Sequence, residues 1–159
     1  MGILGIDISK SKFDVALLRE DEYRLATFDN DPVGFVSLQK WLKKRKVDDL
    51  HACLEATGRY GDELALFLHE TGYQVSVVNP ARIQAYAASQ LKRNKTDKED
   101  AKIIAHFCAT QAPERWTPPS QAQQELQAMV RQLDALQTMR QQEKNRLQAG
   151  VSSTVVLET

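Results

Sequence analysis

A carboxylate inside an apolar run is the feature that most limits how this chain can fold. Asp7 interrupts the run 3–8, which has the length and composition of a buried β-strand. A carboxylate on such a strand is costly unless it is paired or binds a metal ion. Glu55 ends a second apolar run, and Asp97 and Asp100 lie three residues apart where a helix is predicted to begin. The pattern predicts a site at which several carboxylates meet.

The composition is that of an ordinary globular protein. The 159 residues suit one domain with room for an appendage, and 42% of them are hydrophobic and 26% charged. The net charge is zero, so binding to nucleic acid must use a local basic patch. Cys53 and Cys108 lie in apolar segments, which predicts buried, reduced thiols in a cytoplasmic protein. The sequence contains no run apolar enough to span a membrane and no signal-peptide pattern.

Strand and helix signals alternate through the first two thirds of the chain. Strands are predicted over 2–8, 12–19, 23–28, 50–55 and 74–78. One helix is predicted after the third strand and one after the fourth. Two more are predicted after the fifth strand, near 80–88 and 97–110. Three strands in a meander, followed by alternating helices and strands, imply a mixed sheet with flanking helices. This order is that of the ribonuclease H-like α/β fold.

Capping residues predict several helix ends. Asp31 and Asn79 each precede a proline, the arrangement of an N-cap followed by a first-turn proline. Gly72 is placed to end the helix predicted over 60–71, because glycine readily adopts the left-handed backbone of a C-terminal cap. Thr96 and Glu99 match a capping box for the helix that carries the last two acids.

The final third has a different pattern. Three prolines mark a linker over 113–119, and 120–149 is rich in Gln, Arg and Glu with no strand signal. The apolar positions fit two heptads, which predicts a long helix of the coiled-coil type that pairs with another helix. These positions are Leu126, Met129, Leu133 and Leu136. A turn is predicted at 150–153 and a further helix from Val155. The predicted domains are 1–112, the linker, and a helical arm over 120–159.

The acids suit a site for divalent cations. In an open sheet, sites form at the carboxyl ends of strands, and Glu55 lies at such an end. Asp97 and Asp100 share one helix face about one turn apart. Four carboxylates can hold two Mg²⁺ ions about 3.5–4 Å apart, a spacing suited to phosphoryl transfer. Taken singly, the two helix acids are also explained by the helix dipole and Glu55 by a place on the surface. The joint pattern favours the metal site.

Three segments resemble the acidic motifs of a known family. Segments 5–10, 54–58 and 95–101 read GIDISK, LEATG and KTDKEDA. They are similar in order, spacing and neighbours to the motifs of the DEDD transposases, bridge-RNA-guided recombinases of bacterial insertion sequences with a RuvC-like N-terminal domain. The resemblance covers about residues 2–149.

The resemblance implies roles for individual residues. Asp7, Glu55, Asp97 and Asp100 would form a catalytic tetrad that binds Mg²⁺, with Mn²⁺ as a substitute. The partners implied are DNA, a guide (bridge) RNA and further copies of the chain, paired through the helix over 120–149, in a bacterial protein associated with the nucleoid. In that family the nucleophile is a serine of a separate C-terminal domain, which is expected to lie outside this sequence. The chain is therefore expected to be a fragment that cannot recombine DNA alone.

Basic residues flank the acids along the sequence. A charge run is often only a solvated surface, but beside a phosphate-handling site it predicts contacts with the nucleic-acid backbone. The candidates are Lys10, Lys12, Arg59, Lys92, Arg93, Lys95 and Lys98.

Three other functions fit parts of the pattern. A Holliday-junction-type nuclease would use the same tetrad to activate water and would need no serine domain. Actin-like sugar kinases share the strand arrangement, but the glycine-rich phosphate loops that they require are missing from this sequence. A non-catalytic RNA-binding scaffold would use the acids structurally, and activity that survives substitution of Asp7 or Asp100 would favour it.

Overall fold

A computed structural model of the chain describes residues 1–90 and 100–158. Several sequence predictions fall on residues 91–99 and lie outside the described residues. They concern the metal ligand Asp97, the capping box, and the basic residues Lys92, Arg93, Lys95 and Lys98.

The predicted mixed sheet is confirmed. Its strands are β1 (Gly2–Ile8), β2 (Lys12–Arg19), β3 (Glu22–Asp29), β4 (Leu50–Glu55) and β5 (Gln74–Val78). They lie in the order β3-β2-β1-β4-β5. The β1–β2 and β2–β3 pairs are antiparallel, whereas β1–β4 and β4–β5 are parallel. A three-stranded meander joined to a parallel pair is the ribonuclease H-like arrangement that the element order predicts.

Two helices cover one face of the sheet. They are α1 (Pro32–Lys44) and α2 (Asp62–Glu70), and the main apolar core lies between them and the sheet. Ile6 and Leu38 are completely buried in this core. The Asp31 carboxylate accepts a hydrogen bond of 2.7 Å from the backbone N of Gly34, which confirms the predicted N-cap. α2 begins two residues later than predicted and is followed by Gly72 at φ +102°.

Two further helices cover the opposite face. They are α3 (Pro80–Ser89), which is capped by Asn79 as predicted, and α4, described over Asp100–Gln111. α4 crosses β1 at Gly5, where a side-chain Cβ would lie 2.1 Å from the carbonyl O of Ala101 and 2.4 Å from the backbone N of Ala105. Only glycine permits an approach this close. Gly5 therefore fixes the position of the first turn of α4 above the sheet.

The proline-containing segment is part of the first structural unit. Contacts divide the chain into Met1–Pro118 and Pro119–Thr159. The backbone N of Trp116 donates a hydrogen bond of 2.7 Å to the carbonyl O of Val75, and the Ser76 hydroxyl donates one of 2.8 Å to the carbonyl O of Glu114. The segment thus runs along the outer edge of β5 and satisfies hydrogen-bonding groups that an edge strand would otherwise leave open.

The second unit is one helix, α5 (Gln121–Glu158). It begins at a capping box in which Ser120 and Gln123 each accept a hydrogen bond from the other's backbone N. The predicted turn at 150–153 is wrong, because the helix continues through Gly150. A glycine inside a helix costs only about 1 kcal/mol relative to alanine, which a long helix tolerates. The apolar residues of the predicted heptads are exposed on its surface.

Candidate metal centre

Asp7 faces the side of the sheet that α4 covers. Its neighbours Ile6 and Ile8 point into the main core on the other face and are 0% and 8% exposed. The Asp7 side chain is partly buried on the same face as Gly5, since alternate residues of a strand share a face. The Asp7 carboxylate therefore lies on the face of the sheet opposite the main core.

Glu55 lies next to Asp7 across the parallel pair. The β1–β4 register ends with the pair Ile6 and Leu54, and the following residue of each strand is an acid. Both acids are therefore at the carboxyl ends of neighbouring parallel strands, where open sheets form their sites. Glu55 is partly buried.

Asp100 reaches the same end of the sheet from α4. It directly precedes Ala101, which lies over Gly5 of β1. Burial and then the nearby charges of Asp7 and Asp100 raise the pKa of the Glu55 carboxyl above its ordinary value. Such charge effects require the groups to lie near one another. The structure thus brings together three of the four predicted acids, whereas Asp97 lies outside the described residues.

The chemistry of these three groups suits a hard cation. Mg²⁺ and Mn²⁺ prefer oxygen ligands and usually retain several waters, so a few carboxylates are enough to bind them. Within 1–90 and 100–158, no group of three or more His, Cys, Asp or Glu side chains is arranged to hold a metal ion. Burial is the main cause of the raised pKa of Glu55, and repulsion from Asp7 and Asp100 adds to it; a divalent cation between the carboxylates would offset that repulsion.

Asp14 is a fifth acid beside this group, and the sequence analysis missed it. In the antiparallel register, Asp14 of β2 lies directly opposite Asp7 of β1. The hydroxyl of Thr27 on β3 donates a hydrogen bond of 2.6 Å to Oδ1 of Asp14. The signal that would have found this acid is the one that pointed to Asp7. Asp14 interrupts an apolar strand between Phe13 and Val15, which are each 1% exposed.

The predicted basic residues of the described region lie at two loops that hydrogen bonds from one side chain hold together. Lys10 and Lys12 are exposed at the β1–β2 turn, and Arg59 is exposed in the turn after β4. The side-chain amide of Asn30 donates hydrogen bonds to the carbonyl O of Ser9, at 3.1 Å, and to that of Tyr60, at 2.9 Å. Asn30 therefore ties together the loops that follow the strands of Asp7 and Glu55. Contact of the three cations with nucleic acid stays a prediction.

A buried polar network lies beneath α4 on the same face of the sheet. Cys53 and Cys108 are free and buried, as predicted, and hydrogen bonding to Cys108 together with burial raises the pKa of the Cys53 thiol. Sγ of Cys108 lies 3.5 Å from Nδ1 of His51, and Nε2 of that ring lies 2.7 Å from the hydroxyl of Ser76. The network joins α4 to β4 and β5 and so fixes the helix that carries Asp100.

Comparison with known families and proteins gives a consistent picture. Residues 4–155 match the model of the IS110 DEDD family, whose description is transposase. The chain is 37% identical over 131 residues to the pilin gene-inverting proteins of Moraxella lacunata and Moraxella bovis. The match covers 81% of this chain and 41% of each relative. The chain therefore spans about two fifths of the length of these curated relatives.

Solved structures with a similar arrangement include RuvC of Thermus thermophilus. One, in complex with a Holliday junction substrate, has a TM-score of 0.49 and 15% identity and covers 73% of this chain and 99% of its own. A second RuvC structure has a TM-score of 0.46 and 12% identity and covers 73% of this chain. In the described part of the chain, every helix is too short or too polar to cross a membrane.

Proposed function

Because this chain belongs to the IS110 family of DEDD transposases, we propose that residues 1–112 are the metal-dependent catalytic domain of a DNA recombinase. The observation that carries the proposal is the placement of Asp7 and Glu55 at the carboxyl ends of neighbouring parallel strands, beside the helix that begins with Asp100. Acids from β1, β4 and the start of α4 interact across long stretches of sequence. The names of the relatives, which are said to invert a pilin gene, agree with DNA rearrangement as the activity.

In this proposal the tetrad Asp7, Glu55, Asp97 and Asp100 holds Mg²⁺, or Mn²⁺ in its place. When bound, the metal supplies Lewis-acid stabilisation of the charge that develops on the scissile phosphate. Asp7 and Glu55 are held by neighbouring strands, so their oxygens need little rearrangement when they bind. Asp100 is carried by a helix whose position is set by the close contact at Gly5.

The nucleic acid would approach over the loops beside these acids. Lys10, Lys12 and Arg59 are exposed there and would bind backbone phosphates, together with the four basic residues of 91–99. DNA would be the substrate. The resemblance supplies the guide RNA as a second nucleic acid, and the exposed apolar residues of α5 would pair with a second copy of the chain. The linker 113–119 would join the two parts.

The chain would supply half of a composite active site. The attacking hydroxyl is expected to come from a serine of a domain outside these 159 residues. The short share of the relatives' length that the chain spans is consistent with such a domain. A protein with water as nucleophile would instead cut branched DNA without any further domain.

The experiment that tests the proposal measures metal binding and activity separately. Calorimetric titration of the 159-residue chain with Mn²⁺ in the presence of DNA should show binding. Asp7→Asn and Asp100→Asn should abolish this binding. Asp21→Asn removes the same charge from the β2–β3 turn, where asparagine tolerates the φ of 63°, and should leave binding unchanged. In the longer recombinase, Asp7→Ala and Asp100→Ala should abolish recombination without unfolding the protein.

Retained recombination in those alanine variants would contradict the proposal and favour the RNA-binding scaffold. Metal-dependent cleavage of a four-way DNA junction by the 159-residue chain would replace the recombinase with a junction nuclease.

A further inference from the structure

We propose that Asp14, outside the set of acids that contact the ion, strengthens cation binding at the metal centre from its position beside Asp7. The inference rests on the proposed function, because it concerns the same site. It adds a residue from β2, whereas the predicted tetrad comes from β1, β4 and the segment that leads into α4.

The register places the two carboxylates together. Asp7 and Asp14 are direct cross-strand partners in the antiparallel β1–β2 pair. Side chains at such positions point to the same face, with Cβ atoms about 4.5–5.5 Å apart. The neighbours of Asp14, Phe13 and Val15, occupy the main core on the opposite face. The Asp14 side chain therefore points to the face of Asp7 and α4.

α4 packs over β2 as well as β1, so residues of β2 lie beside the site. Ala16 lies two residues beyond Asp14 on the same face of β2, and it is buried against Ala101 and Ala105 of α4. The first turn of α4 thus lies over both β1 and β2. Asp100, which opens that turn, reaches the end of the sheet where Asp7 and Asp14 stand opposite each other.

The orientation of Asp14 is fixed independently of any cation. Thr27, its cross-strand partner on β3, donates its hydroxyl to Oδ1 at 2.6 Å. A hydrogen bond of this length to a carboxylate holds the group in one orientation. Like charges directly opposite each other in a sheet are destabilising. A divalent cation reverses this effect, because both carboxylates then contribute attraction to the same ion.

Asp14→Asn is the informative substitution. It keeps an oxygen that accepts from Thr27 and removes only the charge. With the 159-residue chain, the Kd for Mn²⁺ should rise about 10-fold, the scale seen when a group outside the ligand shell is changed. The thermal midpoint measured in EDTA should rise, because a like-charge pair is removed. If Asp14 had only a structural role, Asp14→Asn would lower the thermal midpoint.

Two further variants control for charge and for orientation. Asp21→Asn removes one charge at the far end of the same hairpin and should change neither measurement. Thr27→Val leaves all charges in place but releases Asp14, so it should weaken Mn²⁺ binding less than Asp14→Asn does.

The outcomes separate this inference from the proposed function. If the unmodified chain binds Mn²⁺ and Asp14→Asn binds it equally well, the role of Asp14 is overturned and the metal site stands. A lower midpoint of Asp14→Asn in EDTA would also overturn it. If the unmodified chain binds no Mn²⁺ with or without DNA, the proposed metal site fails and the role of Asp14 fails with it.

Discussion

At the scale of single residues, Glu55 is the acid whose pKa is most clearly shifted by its surroundings. Burial and the charges of Asp7 and Asp100 favour its protonated form in the folded chain. A carboxyl whose pKa is raised on folding adds stability below its ordinary pKa of 4.5 and loses that contribution as the pH rises through the raised value. At neutral pH, the ionised carboxyl of Glu55 therefore destabilises the folded chain when no metal is bound.

This destabilisation predicts the pH dependence of Glu55→Gln in EDTA. The variant should equal the unmodified chain in stability near pH 3, well below the ordinary pKa, where the carboxyl is almost fully neutral in both folded and unfolded states. It should become the more stable of the two as the pH rises to 7, because glutamine cannot ionise. Urea unfolding at several pH values measures the difference. A difference that stays constant with pH would show that neither burial nor the neighbouring acids raise the pKa of Glu55.

Ser76 is a second residue whose environment predicts a measurable effect. It is completely buried, and its hydroxyl lies between His51 and the carbonyl O of Glu114. Ser76→Ala should lower the free energy of unfolding by about 1–3 kcal/mol, since it leaves buried polar groups without a partner. Ser37→Ala, on the exposed side of α1, should change it by about 0.5 kcal/mol or less. Equal effects of the two variants would argue against the buried network.

At the scale of elements, the placement of α4 on β1 decides whether a site can form. The helix carries Asp100, and its backbone lies against Gly5 with no room for a side chain. The alanines at the contact allow the same close approach from the helix side. Small residues at the crossing point therefore bring the first turn of α4, which begins with Asp100, close to β1.

Gly5→Ala tests this contact. The added methyl group would overlap the backbone of Ala101 and Ala105, so the helix must move. The loss of stability should reach or exceed about 1–3 kcal/mol, the usual range for overpacking, and Mn²⁺ binding should weaken. Gly150→Ala is the matched control, because a Cβ there meets nothing within 4 Å. Unchanged metal binding in a folded Gly5→Ala variant would show that α4 does not position the site.

At the scale of the whole molecule, the chain has two units with different kinds of surface. The first unit encloses a core on both faces of its sheet, whereas the second consists of the helix Gln121–Glu158, which carries exposed apolar side chains. A helix alone cannot bury such residues, and an apolar stripe of this kind favours pairing with another helix.

Self-association through α5 is therefore expected. Leu133→Glu places a charge in the apolar stripe and should shift the chain toward the monomer in sedimentation experiments. Gln132→Glu adds the same charge at the neighbouring position and should have little effect. Residues 1–118 alone should be monomeric and keep the fold of the sheet. A 159-residue chain that sediments as a monomer at high concentration would contradict the expected pairing.

The sequence by itself determined the strands, their faces and most of the caps. These features depend on local periodicity and on residues such as Asp31 and Asn79 that satisfy nearby backbone groups. Local signals were weaker at Gly150, where a glycine suggested a turn and the helix continues. A single helix-breaking residue is a small free-energy term that neighbouring residues outweigh.

Only the tertiary structure decided which distant residues meet. The pairing of Asp14 with Asp7 depends on the register of β1 and β2, and a shift of one residue would turn one of the two acids to the other face. The approach of Asp100 to Glu55 depends on how α4 crosses the sheet, and the cover over β5 depends on where 113–118 lies. Such contacts are set by packing between elements, whereas the sequence pattern reports the order within each one.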